Sequence, residues 1–352
     1  MDDNLTPAGA IDRLVAKTKT VKLPEGMSAK LDDIFAQLAI NANSGDTFWQ
    51  NFQTASKYID VVCGIPWYTQ SQDILDLDYA REKLNEGHYG LDTVKERILE
   101  YVSILALQKN RQPDIRFGAP VLLFVGLVGT GKTTMAKSIA SVLGRQLIRI
   151  PFGGLGDPFY LRGKSRTYAD AEIGHIVKGL IGCKTNNPVI LLDEIDRVAD
   201  DALNTIMGVL VELLDPEQNS NFVDHYIDYP VNLSQALFVA TCNNTTRIAT
   251  AVMDRLEVLQ MPSYTDEEKI AIGRDYLLPR AMTESGISPS ELQISSDIWL
   301  QIVRPLGFDA GVRTLKRNIE GLCRKTARLI FEGQLKSLLI DETNVKKFMP
   351  QW

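Results

Sequence analysis

The sequence predicts an α/β fold with a parallel sheet that is covered by helices on both faces. Five short apolar runs alternate with helical stretches through the middle of the chain. Uninterrupted apolar strands that alternate with helices are typical of parallel sheets buried on both faces. The five runs are residues 120–125, 146–150, 188–192, 236–241 and 256–260.

The chain before the sheet is predicted to be mainly helical. Residues 1–27 are interpreted as a helical or extended lead-in, and apolar residues at helical spacing over 28–62 predict a small hairpin or bundle. Pro66 indicates an extended linker, because the residue before a proline avoids the helical region. Residues 76–110 return to a helical pattern with one apolar face.

The chain after Pro262 is predicted to be helical, because no further run has the strength of a buried strand. Apolar residues at helical spacing cover residues 265–281, 296–304 and 310–332. An α/β region between two helical regions is therefore expected.

Length and composition indicate a folded globular protein of two or three domains. The 352 residues are 45% apolar and 23% charged, which excludes wholesale disorder. A net charge of −6 argues against a globally basic nucleic-acid binder. Four cysteines without a CxxC pair and three histidines without an HExxH pair argue against a disulfide framework or a zinc site.

No targeting or membrane segment is expected. The N-terminus is acidic and polar, and the longest apolar runs are far shorter than the ~20 residues that span a bilayer. Together with the cysteine usage, this predicts a reducing compartment, the cytoplasm or an organelle matrix.

Residues 126–133, Gly-Leu-Val-Gly-Thr-Gly-Lys-Thr, match the phosphate-loop pattern GxxxxGK[ST] between a strand and a helix. Glycines let backbone N–H groups turn onto phosphate oxygens, and the helix N-terminus favours anions. Lys132 is expected to reach the β- and γ-phosphates, and the Thr133 hydroxyl to ligate Mg²⁺. A turn that binds nothing is the weaker alternative. The predicted phosphate-loop contacts are Gly126, Gly129, Thr130, Gly131, Lys132, Thr133 and Thr134.

Residues 189–194, Val-Ile-Leu-Leu-Asp-Glu, place two carboxylates at the carboxyl end of a buried strand. Ligands bind at this edge in open α/β sheets. Asp193 is expected to hold Mg²⁺ through water, and Glu194 to orient and polarise an attacking water. A solvated acidic turn is the alternative interpretation. Together with the phosphate loop, the pair predicts nucleotide hydrolysis.

The chain resembles the ATPase module of the Lon protease family, in the AAA+ class, from about Ser28 to Met349. The most specific stretches are Leu-Leu-Asp-Pro-Glu-Gln-Asn at 213–219 and Asp-His-Tyr at 224–226. Further matching stretches are residues 64–67, 88–91, 94–100, 166–168, 192–196, 253–258 and 310–313.

The resemblance implies a P-loop AAA+ domain with a five-stranded parallel sheet and an all-α lid, with ATP or ADP and Mg²⁺ between them. It divides the chain into a helical segment and linker at 1–75, an α/β nucleotide domain at 76–262 and the lid at 263–352. It also implies a homo-oligomer, a hexameric ring, that acts on unfolded polypeptide.

The resemblance further implies roles for individual residues. Asn243 looks like the sensor-1 residue that helps to place the attacking water, and Arg313 looks like sensor 2 on the lid. Arg255 looks like an arginine finger that reaches the γ-phosphate of the neighbouring subunit. His88, Tyr89 and Gly90 lie where the family holds the adenine.

Each of these roles has a plainer alternative. Arg255 could form a surface ion pair with Asp254 or Glu257, Arg313 could be a solvated charge, and His88 could be a core or helix-end histidine.

The sequence departs from the family pattern at three loops. Leu127 and Val128 stand where the family usually has two prolines in the phosphate loop. The phosphate-binding glycines, Lys132 and Thr133 are retained, so nucleotide binding is still expected. Residues 200–206 replace an Arg-Gly-Asp-Pro segment near pore loop 2. In pore loop 1, which grips polypeptide, Tyr168 is retained but Ala169 stands where the family has a large aliphatic residue. That loss removes roughly 1.5 kcal/mol of possible apolar burial, which weakens the expected grip.

The family's proteolytic domain would begin where this sequence ends, so peptidase activity is not expected from this chain. An excised module and a peptidase-free relative both remain open. The leading functional hypothesis is an ATP-driven motor that unfolds and translocates polypeptide. A nucleotide-switched assembly or adaptor ATPase is the alternative, and DNA binding through six basic residues in 313–328 is a weaker one.

Overall fold

The computed structural model describes residues 6–111, 121–304 and 309–349. Three helices come first: α1 (Pro7–Thr18), α2 (Glu25–Ile40) and α3 (Asp46–Gly64). The hydroxyl of Thr6 accepts a hydrogen bond from the N–H of Gly9, and Pro7 occupies the first helical position, where its missing N–H costs nothing. The predicted N-terminal helical region is confirmed. Helix α1 lies within residues 1–27, the segment interpreted as a helical or extended lead-in.

The predicted helix at 76–110 is two helices, α4 (Leu77–Gly87) and α5 (Asp92–Arg111). Gly90 and Leu91 lie between them with φ of 59° and 58°. Helix α4 ends before them, where His88 has an extended backbone with φ of −144° and ψ of 125°. Two successive residues with positive φ do not fit a continuous α-helix. Helical periodicity continues across the break, so the pattern alone did not reveal it.

The central sheet has five parallel strands: β1 (Val121–Val125), β2 (Leu147–Pro151), β3 (Val189–Asp193), β6 (Leu237–Cys242) and β7 (Leu256–Gln260). Their spatial order is β2-β3-β6-β1-β7, which confirms the predicted sheet. The strands fall within one residue of the predicted runs, and Pro120 lies outside the described residues. Strands β1, β3 and β6 are buried along their whole length, as their mainly apolar runs predict. A short antiparallel pair, β4 (Phe222–Asp224) and β5 (Tyr229–Val231), lies outside this sheet.

Helices cover both faces of the sheet. One face packs with α4, α5 and α6 (Lys132–Leu143), and the other packs with α8 (His175–Cys183) and α9 (Leu203–Leu214). The N-terminal helices join this second core through residues such as Phe48 and Tyr58, both fully buried. The short helices α7 (Phe159–Arg162) and α10 (Thr250–Met253) complete this region.

The C-terminal region has its own apolar core. A continuous helix comprises α11 (Asp266–Ile272), one π-helical turn (Gly273–Leu277) and α12 (Leu278–Glu284). It is followed by α13 (Trp299–Val303), α14 (Arg313–Phe331) and α15 (Val345–Phe348).

The lid, expected to be all helical, also contains two short parallel strands. These are β8 (Leu292–Ile294) and β9 (Leu338–Ile340). Strands of three residues are too short to produce a recognisable periodic pattern, so the sequence did not predict them. The domain boundaries at 75/76 and 262/263 stay predictions.

Candidate functional site

A cavity of about 530 Å³ lies at the carboxyl end of the sheet, with the lid contributing part of its wall. Strand β1 leads into the phosphate loop and β3 ends at Asp193, so the parallel strands deliver their following residues to one edge. The cavity brings together these sequence-predicted residues: His88, Tyr89, Gly129, Gly131, Lys132, Thr133, Thr134, Asp193, Glu194 and Arg313.

The glycines of the phosphate loop are required by its geometry. Gly129 and Gly131 have φ of 85° and 98°, which favours glycine. A Cβ at Gly129 would lie 3.2 Å from the backbone N of Arg313, and the carbonyl of Gly129 accepts a hydrogen bond of 3.0 Å from the N–H of Val312. The loop therefore packs directly on the start of α14 and brings Arg313 to the cavity.

Gly126 and Thr130, two of the predicted phosphate contacts, do not line the cavity. A Cβ at Gly126 would lie 2.5 Å from the carbonyl O of Met261. The buried Thr130 hydroxyl donates to the carbonyl of Leu127 at 2.9 Å. Both residues therefore support the conformation of the loop on the side away from the cavity.

The Lys132 ammonium lies inside the phosphate loop. Its Nζ donates to the carbonyls of Gly126 at 2.6 Å and Leu127 at 3.0 Å, and to Oδ1 of Asn243 at 3.1 Å. Burial lowers the pKa of Lys132, although nearby acidic groups act in the opposite direction. Asn243 does not line the cavity itself, and its side chain meets the site through Lys132.

The Asp193 carboxylate is buried and has a partner on each oxygen. Oδ1 accepts hydrogen bonds from the hydroxyls of Thr133 at 3.2 Å and Thr241 at 2.6 Å. Oδ2 accepts from the guanidinium of Arg149, with Nε at 2.8 Å and a second nitrogen at 2.6 Å. Sequence reasoning missed Arg149 and Thr241. The available signal was a polar residue within each otherwise apolar strand.

Glu194 follows Asp193 with φ of 60° and ψ of 51°. Non-glycine residues in this left-handed conformation are uncommon and cost of the order of 1 kcal/mol, so surrounding contacts must hold them. The N–H of Glu194 donates to the Thr241 hydroxyl at 2.9 Å. The Glu194 side chain lines the cavity, is 38% exposed and lies 3.8 Å from Arg197.

The other end of the cavity is mainly apolar and aromatic. The rings of Tyr89 and Tyr276 are packed edge-to-face, with 6.4 Å between their centroids. The hydroxyl of Tyr264 donates to the carbonyl of Thr130 at 3.1 Å, which ties the entry of the lid to the phosphate loop. Gly90 does not line the cavity. Residues of this wall that sequence reasoning missed are Tyr264, Ile272, Tyr276, Leu277 and Val312.

His88 is buried at the junction of α4 with this wall, and its Nε2 lies 2.9 Å from Oγ of Ser138. Burial, and secondly the charge of Lys95, lower the pKa of His88 from 6.5 to about 4. The imidazole is therefore neutral near pH 7, able to share a hydrogen bond with a hydroxyl or a ligand.

The lowered pKa of His88 predicts a pH-dependent contribution to stability. A lowered folded-state pKa gives stability that is present above the unfolded pKa of 6.5 and lost as pH falls toward about 4. Between pH 7 and pH 5 the free energy of unfolding should fall by about 2 kcal/mol more in the wild type than in His88→Gln. Urea unfolding at both pH values measures this difference. Equal losses in the two proteins would contradict it.

Arg255 lies outside the lining of the cavity. Its guanidinium donates to the carbonyl of Ala251 at 2.7 Å and to Oδ2 of Asp215 at 2.8 Å. Arg255 therefore forms its ion pair with Asp215, and not with Asp254 or Glu257 as the alternative interpretation expected. Glu257 pairs instead with Arg97. Arg255 holds the pKa of the Asp215 carboxyl below its usual value. Asp215 lies 40 residues before Arg255, beyond the reach of local sequence patterns.

Residues 163–174 form a loop whose two ends meet. The N–H of Lys164 donates to the carbonyl of Glu172 at 2.8 Å, and the N–H of Gly174 donates to the buried carboxylate of Asp224 at 2.7 Å. Tyr168 lies midway along the loop with 56% of its surface exposed, and the adjacent Ala169 is also exposed. Neither residue belongs to the cavity.

Among the helices of residues 6–111, 121–304 and 309–349, none combines the length and the apolar composition of a membrane-spanning helix.

Comparisons with known proteins agree with this architecture. Residues 122–264 match the family model of ATPases associated with various cellular activities, and residues 283–338 match the Lon protease AAA+ ATPase lid domain. The Lon protease of Bacillus thuringiensis is 38% identical over 98% of this chain and 42% of its own length. Those of Lawsonia intracellularis (Lon protease) and Thermus thermophilus (Lon protease 2) are 42% and 40% identical, each over 83% of this chain and over 34% and 37% of their own lengths.

The chain thus spans about two fifths or less of the length of these curated relatives. Both family matches fall on the parts that the structure shows as the α/β region and the lid. On these grounds the chain belongs to the Lon protease family and carries its AAA+ ATPase module.

Proposed function

We propose that this chain hydrolyses ATP with Mg²⁺ and, in a hexameric ring, uses the hydrolysis to unfold and translocate polypeptide. The observation that carries the proposal is the convergence of Lys132, Thr133, Asp193, Glu194 and Arg313 on one cavity with an aromatic end. Nucleotide binding follows from membership of the family, and the reaction, the ring and the substrate are the proposal.

The cavity has one polar and one apolar half, as a nucleotide requires. The aromatic end near Tyr89 and Tyr276 suits a flat adenine, with His88 as a neutral hydrogen-bonding partner at its edge. The phosphate loop offers backbone N–H groups and the N-terminus of α6 to the phosphates. Arg313 and Lys132 place two positive charges beside them.

The residues present also fit a magnesium ion. The Thr133 hydroxyl and the Asp193 carboxylate lie 3.2 Å apart, and both are the oxygen ligands that Mg²⁺ prefers. When bound, Mg²⁺ would neutralise charge on the β- and γ-phosphate oxygens. Arg149, bound to the other oxygen of Asp193, keeps that carboxylate paired and oriented.

The chain's own residues have distinct roles in the proposed hydrolysis. The Glu194 carboxylate orients a water molecule and accepts its proton as the water attacks the γ-phosphate. Lys132 and Arg313 stabilise the charge that collects on the transferred phosphoryl group. Asn243 sets the position of the Lys132 ammonium through its hydrogen bond, and its proposed sensor-1 role acts through that contact.

Arg255 is proposed to act on the nucleotide of a neighbouring subunit. It does not line the cavity of its own subunit, and Asp215 holds its guanidinium at the surface of the α/β region with 27% of the side chain exposed. An arginine supplied from the neighbour makes hydrolysis depend on assembly. This is the basis for the proposed ring.

Tyr168 is proposed to grip the polypeptide. Its exposed ring lies outside the cavity, on a loop whose two ends are joined by a backbone hydrogen bond. Ala169 supplies little apolar area beside it, so most of the grip falls on Tyr168.

Contacts on α14 do not favour DNA binding as a second function. Lys316 and Arg324 pair with Glu320, Arg328 pairs with Glu332, and Lys325 donates to backbone carbonyls. A nucleotide-switched ATPase that does not thread substrate is the alternative that the loop substitutions leave open.

The proposed motor predicts that an unfolded protein stimulates ATP hydrolysis and that Tyr168→Ala removes most of this stimulation. Tyr68→Ala is a matched control, since Tyr68 is 55% exposed against 56% for Tyr168. ATPase rate is measured against protein concentration, with light scattering in parallel and an unfolded casein-like probe. A rate per subunit that rises as rings form, with stimulation lost only in Tyr168→Ala, is expected. Assembly-dependent hydrolysis without stimulation would favour the switch.

A further inference from the structure

The Thr241 hydroxyl is the one polar side-chain group within strand β6 apart from the thiol of Cys242 at its end. Thr241 is completely buried in the run Leu-Phe-Val-Ala-Thr-Cys. A buried hydroxyl is unfavourable unless it forms hydrogen bonds, and a valine of nearly the same shape would suit the strand without that cost. The presence of a hydroxyl at this buried position is therefore explained by the hydrogen bonds that it forms.

Both partners of this hydroxyl belong to the acidic pair at the end of β3. The hydroxyl donates to Oδ1 of Asp193 at 2.6 Å and accepts from the N–H of Glu194 at 2.9 Å. One oxygen thus fixes a carboxylate and the backbone of the next residue at the same time. Thr241 itself does not line the cavity.

The hydrogen bond to Glu194 acts where the backbone is strained. Glu194 has φ of 60°, and this left-handed turn carries its side chain from the strand into the cavity wall. A second link between the ends of β6 and β3 lies next to it, because Oδ2 of Asp196 accepts from the N–H of Asn243 at 3.0 Å. These two links hold the ends of β3 and β6 in one register. Thr241 is the link that contacts both Asp193 and Glu194.

We propose that Thr241 is a positioning residue for the hydrolysis assigned above, on which this inference rests. Its hydroxyl orients the Asp193 carboxylate toward Thr133 and holds the turn that aims Glu194. Groups that orient a metal-binding side chain usually affect metal affinity or activity by about 10–100-fold when removed. Thr241→Val keeps the shape and removes the hydroxyl, whereas Thr241→Ser keeps the hydroxyl.

The test compares these two variants in the whole chain by three measurements. These are the maximal ATPase rate, the Mg²⁺ concentration at half-maximal rate, and the affinity for a fluorescent ADP analogue in EDTA and in Mg²⁺. Thr241→Val is expected to lower the rate about 10–100-fold and to weaken the effect of Mg²⁺ on nucleotide affinity. Its affinity in EDTA should equal that of the wild type, and Thr241→Ser should retain most of the wild-type rate and Mg²⁺ response.

Three results would overturn the proposal: a wild-type rate in Thr241→Val, an equally slow Thr241→Ser, or an equal loss of affinity with and without Mg²⁺. The last would mean that Thr241 only supports the fold. If Thr241→Val does not fold, Thr241→Cys and Thr241→Ser form the test pair, since a thiol is a weak donor of similar size. If the wild type does not hydrolyse ATP, the proposed function fails, and the Mg²⁺ dependence of ADP-analogue affinity still tests Thr241.

Discussion

Replacing Glu194 by glutamine is expected to lower the ATPase rate about 10²–10⁴-fold while nucleotide affinity stays at the wild-type value. The amide keeps the size of the side chain and the backbone hydrogen bond to Thr241, but it cannot accept a proton from water. Within the part of the chain that the structure describes, two glutamates line the cavity, Glu194 and Glu86. Glu86 lies beside His88, at the aromatic end.

The measurement pairs steady-state ATPase assays with binding of a fluorescent ATP analogue. Glu82→Gln is the control, because Glu82 is exposed on α4 outside the cavity and loses the same charge. A rate in Glu194→Gln close to that of the control would remove Glu194 from the reaction. A parallel loss of nucleotide affinity would instead assign it to binding.

Replacing Arg255 by alanine is expected to lower the ATPase rate about 10³-fold or more under conditions in which rings form. The guanidinium would no longer stabilise the transferred phosphoryl group of the neighbour. Arg255→Lys should recover little, because a planar group with several fixed donors and a single ammonium are not equivalent. Light scattering must show that the variant still assembles.

Mixing two inactive variants separates action on the neighbour from action within one subunit. In a mixed ring, a Glu194→Gln subunit supplies an intact Arg255 to an Arg255→Ala subunit, whose own Glu194 is intact. Recovery of ATPase activity on mixing is the expected result. Two inactive variants that stay inactive in rings shown to contain both would place Arg255 in the site of its own subunit.

Sequence reasoning predicted the elements whose signals are local. The apolar runs located the five strands of the sheet to within one residue. The signal was strongest for β1, β3 and β6, which are buried along their whole length and therefore need mainly apolar side chains. The phosphate loop was equally clear, since its glycines are required by positive φ and close packing at Gly129 and Gly131. Asp193 and Glu194 followed from their place at the end of β3.

Sequence reasoning was less successful where contacts join distant parts of the chain. Helical spacing continued through Gly90 and Leu91, although their left-handed backbone separates α4 from α5. Strands β8 and β9 pair across more than 40 intervening residues and are too short to show a pattern. The partner of Arg255 was sought among its sequence neighbours and is Asp215.

The sequence by itself determined the five strands of the central sheet, the phosphate loop, the acidic pair and the family, because each depends on residues close together in the chain. Only the tertiary structure decided which groups complete the site. Arg149 and Thr241 reach Asp193 from strands β2 and β6, 44 and 48 residues away, and the lid adds Tyr264 and Tyr276 to the aromatic wall that contains Tyr89. The physical reason is that a parallel sheet aligns the ends of strands that are distant in sequence, and that alignment appears only when the strands pair.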